Sequence, residues 1–405
     1  MSAWLSVVGI GEEGVAALAP VARARVAVAD TLIGGARHLA LVPEGRAERL
    51  VWRSPIADSI ADIAARRGRR VVVLASGDPL CYGVGAMLAR CFAPDEMIVL
   101  PAPSAFALAA ARLTWPQDSC TAVSLHGRPL EQLRLHLAPG ARILALSADG
   151  ATPAAAAALL RAAGWGPSSL IVLEHMGGPR ERRIDATAAD FPAGPFADLN
   201  LLAIECRPGP GARAYSRLAG LPDDAFRHDG QITKREVRAA TLAALAPLPG
   251  ELLWDVGAGC GSVAIEWLRA GASMRAVAIE RDPGRGALIA ENAAALGVPW
   301  IEVVVGSAPA ALAGLAAPDA VFLGGGVGDP TIFAAAWGAL RPGGRLVANA
   351  VTLSGEAHLL ALSERVGGIL ARLTVARADG LGGQRAFRPM LTVTQLALTK
   401  EGDRP

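Results

Sequence analysis

Short unbroken apolar runs recur along the chain, and most stop at a Gly, Pro, Ser or Asp before a stretch with helical spacing begins. Such runs suit strands buried on both faces, and their alternation with helical stretches predicts parallel βα units. Trp4–Val8 predicts a first strand, the Gly-rich turn Gly9–Gly14 follows, then a helix to about Ala24 and a short strand Val26–Ala29 ending at Asp30. Pro55–Arg67 has helical spacing, with Pro55 suited to the first turn. Strands are expected at Arg70–Ala75, Met97–Leu100, Thr121–Leu125, Arg142–Ser147, Leu170–Glu174 and Leu199–Glu205. Several end in turns rich in Gly, Pro, Ser or Asp. In open α/β sheets the ligand crevice lies beyond the carboxyl ends of the strands, so the turns at Gly9–Gly14, Ser76–Pro79, Pro101–Ala105 and His126–Pro129 are candidates to line one pocket.

The pattern breaks at Arg207-Pro208-Gly209-Pro210-Gly211 and again at Pro222-Asp223-Asp224. This divides the chain into an α/β unit over 1–206, a linker over 207–228 and a second α/β unit over 229–405. The second unit opens on Thr233-Lys234-Arg235-Glu236, a capping-box pattern that predicts a helix from Lys234 to about Ala246. Five βα strands follow, and then two alternating runs, Leu370–Ala376 and Met390–Leu398, joined through Gly380–Gly383. Two strands without a helix between them predict a closing antiparallel pair, for seven strands in all.

One stretch organises the second unit. The strand Leu252–Val256 runs through Asp255 into Gly257-Ala258-Gly259-Cys260-Gly261, and a helix pattern begins at once. Three alternate glycines allow left-handed backbone and close approach of a ligand to a helix N-terminus. Glu280 closes the next strand, where a carboxylate accepts hydrogen bonds from ribose hydroxyls. The spacing is G-x-G-x-G, whereas the dinucleotide fingerprint needs glycine where Ser262 stands. A nucleoside ligand is therefore expected and NAD is disfavoured.

Composition narrows the field only a little. The chain has 405 residues and a net charge of +2, with no basic tract for nucleic acid. Of its 39 basic residues only Lys234 and Lys400 are lysines, which singles out Lys234. The five cysteines are scattered, with no metal-ligand spacing, and the start of the chain lacks a signal-peptide pattern. No apolar stretch is long enough to span a membrane. A cytoplasmic protein without a metal is expected.

The motifs then meet known families. Asp255–Gly261, Glu280, Gly306-Ser307-Ala308 and Leu340-Arg341-Pro342-Gly343-Gly344 give the second half its resemblance to the seven-stranded, Rossmann-like methyltransferases that use S-adenosylmethionine. Thr233–Arg238 and Phe322–Gly326 are similar to the cobalt-precorrin C15 methyltransferase and decarboxylase branch. In the first half, Val7–Gly11, Ala75–Pro79, Pro101–Ala105 and Ser124–Arg128 resemble the tetrapyrrole (class III) methylases, whose fold comprises two α/β subdomains. Most of those have Pro-Gly where this chain has Glu12-Glu13. Asp30–Leu39 is similar to the branch that acts late in corrin synthesis. The two in this order resemble the decarboxylating precorrin-6Y C5,15-methyltransferase family.

The resemblance implies S-adenosylmethionine as cofactor in both halves, held at Gly9, Gly11, Gly77, Asp78, Ser104 and Ala105 in the first. In the second, Asp255, Gly257, Gly259 and Gly261 would pass its methionine end, Glu280 would hold the ribose, and Ser307 and Ala308 would flank the adenine. The implied substrate is a polycarboxylate tetrapyrrole, methylated at C5 and C15 and decarboxylated at the ring C acetate, and a homo-oligomer is expected. Among residues for the chemistry, Lys234 and Arg238 lie one helical turn apart and are candidates to grip substrate carboxylates. His126 and Asn349, each ending a strand, complete the catalytic candidates. Two readings stay open beside this one: an NAD-dependent oxidoreductase, and a non-catalytic cofactor-binding protein.

Overall fold

The computed structural model describes residues 3–401. The chain forms two compact units; the first reaches Arg213 except for Glu131–Leu137, which cluster with the second, and the second runs on from Ala214.

The first unit contains two five-stranded sheets. The first sheet is wholly parallel: β1 (Leu5–Ile10), β2 (Thr31–Gly34), β3 (Glu48–Val51), β4 (Val71–Ser76) and β5 (Met97–Leu100), in the order β3-β2-β4-β1-β5. β1 and β4 are buried along almost their whole length, with apolar clusters on both faces, which is why they read as unbroken apolar runs. The second sheet is mixed: β6 (Cys120–Ser124), β7 (Arg142–Leu146), β8 (Ser169–Glu174), β9 (Arg182–Thr187) and β10 (Asn200–Glu205), in the order β6-β7-β10-β8-β9. Only β6 and β7 pair in parallel there.

One expected strand is wrong. Val26–Ala29 belongs instead to the end of a helix, Pro20–Ala27, and its turn, and the strand starts only at Thr31. Ala22 and Val26, four apart, are the buried face of that helix, so tertiary packing overrides the β preference of valine.

The second unit holds a seven-stranded sheet in the order β13-β12-β11-β14-β15-β19-β16. Its members are β11 (Leu252–Val256), β12 (Arg275–Glu280), β13 (Glu302–Val305), β14 (Ala320–Leu323), β15 (Arg345–Ala350), β16 (Ile369–Leu373) and β19 (Val393–Thr399). The five βα strands are parallel, and β19 lies antiparallel between β15 and β16. Gly380–Gly383 does not join those two strands directly. It belongs to a separate hairpin, β17 (Ala376–Leu381) and β18 (Gln384–Pro389), whose turn residues Gly382 and Gly383 have φ of 53° and 81°.

The stretch read as a linker is tied down at both ends. Arg207 N–H donates to Ser168 Oγ at 3.0 Å, and the Gly220 and Leu221 amides donate to the buried Glu266 carboxylate at 2.6 and 2.9 Å. The capping box does not form either. The helix is Arg235–Leu245, Lys234 sits at its N-cap without a side-chain cap, and Glu236 pairs with Arg377 instead. Among the described residues no helix is long and apolar enough to cross a membrane.

Candidate active sites

A large cleft lies in each unit. In the first it has a volume of about 810 Å³ and opens where β1 and β4 end. Gly11, Gly77, Asp78, Ser104, Ala105 and His126 all line it. Gly9 does not. It packs beneath the cleft, where a Cβ would collide with Gly77 O and lie 2.6 Å from Ala102 N, so glycine there lets the loops after β1, β4 and β5 close on one another. Asp78 Oδ1 accepts from Leu80 N at 2.9 Å, and Ser104 Oγ caps the helix Ala105–Leu113 by accepting from Ala107 N at 3.1 Å. Both residues thus shape the walls of the cleft.

A polar cluster that no sequence motif marks stands on the same wall. Glu12 accepts from Arg37 and stands 3.2 Å from His175 Nδ1. Arg37 Nη2 reaches Ser76 Oγ at 2.8 Å and His38 Nε2 at 3.0 Å, and Ser76 Oγ is 2.8 Å from that nitrogen. Arginine only donates, so His38 Nε2 accepts and the ring proton sits on Nδ1, which is buried without a partner. Burial, then the Arg37 charge, pull the His38 pKa down to about 4, so the ring is neutral near pH 7. Burial pushes Glu12 up, but the hydrogen bonds from His175 and Arg37 outweigh it and hold the carboxyl below its usual range. The available signal was Glu12-Glu13 standing where Pro-Gly is usual: the charge of Glu12 is what holds Arg37 and His175 in place.

The cleft of the second unit has a volume of about 900 Å³. Gly257, Gly259, Glu280, Ser307, Ala308, Lys234 and Asn349 line it, as do Gly324–Gly326 and Met390, which the motif reading had not singled out as site residues. Gly257 has φ of 73°, and a Cβ there would lie 2.8 Å from Gly325 N. Gly259 has φ of 59° with nothing within 4 Å of its missing Cβ, an open cradle facing the cleft. Glu280 is braced from both sides: Oε2 accepts from Gly259 N at 2.8 Å and Oε1 from Asp282 N at 3.0 Å. Each oxygen keeps a lone pair for a ligand.

Three predicted residues do not reach this cleft. Gly261 packs on Ile289, 2.8 Å from where a Cβ would be. Asp255 is buried beneath the loop, where Oδ2 accepts from Ala264 N at 3.0 Å and holds the start of the helix Ser262–Ala270; Oδ1 has no partner. Burial, with a smaller push from Glu280, raises its pKa to about 7. Arg238 is fully buried, with Nε 2.6 Å from Glu266 Oε1, a contact to Asp223 at 3.4 Å, and its guanidinium 4.8 Å from the centre of the Phe226 ring. Lys234 and Arg238 therefore do not act as a pair on one ligand. The helix turns Val237, Arg238, Thr241, Leu242 and Leu245 inward, and Glu266 on the neighbouring helix requires a buried cation.

The tetrapyrrole (corrin/porphyrin) methylase model matches residues 5–192, and the precorrin methyltransferase domain model matches residues 224–400. A precorrin-6Y C(5,15)-methyltransferase [decarboxylating] from Sinorhizobium sp. is 52% identical over 99% of this chain and 97% of its own length. Two shorter proteins from Salmonella typhimurium each match less than half of this chain. A cobalt-precorrin-7 C(5)-methyltransferase is 34% identical over 46% of this chain and 94% of its own. A cobalt-precorrin-6B C(15)-methyltransferase (decarboxylating) is 36% identical over 42% of this chain and 90% of its own. An α/β chain with two methylase-type units in this order, matched end to end at this identity, belongs to the precorrin-6Y C(5,15)-methyltransferase (decarboxylating) family and is a methyltransferase.

Proposed function

We propose that the chain binds S-adenosylmethionine in each cleft and acts on precorrin-6Y, a polycarboxylate tetrapyrrole. It methylates C5 and C15, removes the ring C acetate carboxyl as carbon dioxide, and so yields precorrin-8X of cobalamin biosynthesis. The single observation that carries this is two separate clefts in one chain, each in a unit that its own methylase-type family model matches. We assign C5 to the first unit and C15 with the decarboxylation to the second.

The second cleft suits the cofactor: the cradle at Gly259 is open and Glu280 keeps free lone pairs beside it. In this reading Glu280 holds the ribose hydroxyls, Ser307 and Ala308 flank the adenine, and Gly257 and Gly259 pass the methionine end. Gly11, Gly77, Asp78, Ser104 and Ala105 take the corresponding part in the first cleft, with Gly9 acting from below. The sulfonium supplies an electrophilic methyl group, so what remains for the protein is position. Holding a ring carbon in line with the methyl group is worth up to about 7–11 kcal/mol. Lys234 and His126, each on a cleft wall, are assigned to the substrate side. Arg238 and Asp255 are assigned to support of the site. The enzyme is proposed to work in the cytoplasm as a homo-oligomer.

The test is the mass of the product formed from precorrin-6Y and S-adenosylmethionine. Gain of two methyl groups with loss of one carbon dioxide is expected. One methyl gained with no carbon dioxide lost overturns the assignment of both activities to this chain.

A further inference from the structure

The polar floor of the second cleft fixes one side chain completely. Asn349 on β15 lies directly across from Gln395 on β19. Beneath both is Thr241, buried on the helix Arg235–Leu245. Thr241 Oγ1 is 2.8 Å from Val237 O, and a carbonyl only accepts, so the hydroxyl proton is committed there. The Thr241 oxygen must then accept from its other neighbours, Asn349 Nδ2 at 2.8 Å and Gln395 Nε2 at 3.2 Å. Gln395 Nε2 spends its second hydrogen on Asn349 Oδ1 at 2.9 Å. A proton chain that starts at a backbone carbonyl thus dictates which way the Asn349 amide faces. One Nδ2 hydrogen and one Oδ1 lone pair remain, on a residue that lines the cleft.

We propose that this remaining N–H of Asn349 holds the acetate carboxylate that is lost, and that Thr241 and Gln395 are positioning residues that keep it aimed. The inference rests on the decarboxylation assigned above to this cleft. In that step the bond between the acetate methylene and its carboxylate carbon breaks. Its electron pair stays on the methylene, delocalised into the conjugated macrocycle, until a proton from water is added there. Carbon dioxide leaves, and the acetate becomes a methyl group. A full cation adds Coulomb attraction that a neutral amide lacks, so a cation gripping this carboxylate would stabilise the charged ground state and oppose its departure. A single neutral N–H orients the group with less such stabilisation. The carboxylates that the product keeps carry no such restriction, and Lys234 on the same cleft suits one of them.

The test compares full-length wild type with Thr241→Val, Gln395→Leu and Thr241→Ser on precorrin-6Y. Carbon dioxide released per methyl transferred at C15, kcat and KM for each, and cofactor affinity are measured. The Val and Leu variants are expected to release carbon dioxide at least about 10-fold more slowly, as loss of a group worth more than about 1.4 kcal/mol requires. Cofactor affinity should be unchanged, and a methylated tetrapyrrole that retains its acetate should accumulate. Thr241→Ser keeps the hydroxyl and should restore the wild-type ratio; having two disruptive variants keeps the test decisive if one fails to fold. A ratio unchanged in both, or loss of cofactor binding in step with activity, overturns the inference. Wild type that releases no carbon dioxide overturns the proposed function itself, so the two failures are told apart.

Discussion

Asp255 and Glu280 lie at the ends of neighbouring strands, yet their environments give them different work. Glu280 is braced by two backbone amides at the edge of the cleft. A hydrogen bond to a charged group contributes about 1.5–3 kcal/mol, so Glu280→Ala is expected to weaken cofactor binding in the second cleft by about 100-fold. Calorimetric titration should show one of two sites lost, and the product should carry a single added methyl with its acetate retained. Asp255 is sealed beneath the loop, and burial lifts its pKa from 3.8 to about 7. The folded chain then holds a proton that the unfolded chain has released, so this group's contribution to stability is full below about pH 4 and fades as pH rises toward 7. Asp255→Asn keeps the acceptor for Ala264 N and removes that dependence. The variant should melt a few degrees above wild type at pH 8, at roughly 2–4 °C per kcal/mol, with no such gain at pH 4.

Elements show where local pattern decides and where it fails. Strands β1, β4, β11 and β14 were legible because a parallel strand covered on both faces must be apolar throughout. The hairpin β17–β18 was not, because it is exposed along most of both strands and nothing imposes an alternation. Helix Arg235–Leu245 was found, but the inward turn of Arg238 depends on Glu266, 28 residues later on another helix. Arg238→Met leaves Glu266 buried without its cation and is expected to cost about 3–5 kcal/mol, read as a lower urea midpoint for the full chain. The loop after β4 is equally demanding. Gly77 has φ of 52°, and a Cβ would lie 2.8 Å from Pro103 O, so Gly77→Ala strains the backbone and pushes apart the two loops that frame the first cleft. It should abolish the first unit's methylation while leaving that of the second at its wild-type rate.

Over the whole molecule, each cleft sits in a compact unit with its own sheets, and each unit is matched by its own family model. The Glu280→Ala and Gly77→Ala variants, each disabled in a different cleft, are therefore expected to complement one another. Mixed in equal amounts with precorrin-6Y, they should form the doubly methylated, decarboxylated product that neither makes alone, as mass spectrometry would show. The sequence by itself determined the alternation of strands and helices, the position of the Gly-rich loops, and most, though not all, of the residues that face each cleft from those loops. All of these follow from short-range patterns: apolar periodicity, and glycine where backbone must turn left-handed or lie against another loop. Tertiary structure alone decided that Arg238 turns inward, that Glu12, Arg37, His38 and His175 meet on one wall, and that Thr241 and Gln395 orient Asn349. The physical reason is the same in each case. A buried polar group must find its partner, and that partner comes from a distant part of the chain that only folding brings within hydrogen-bond reach.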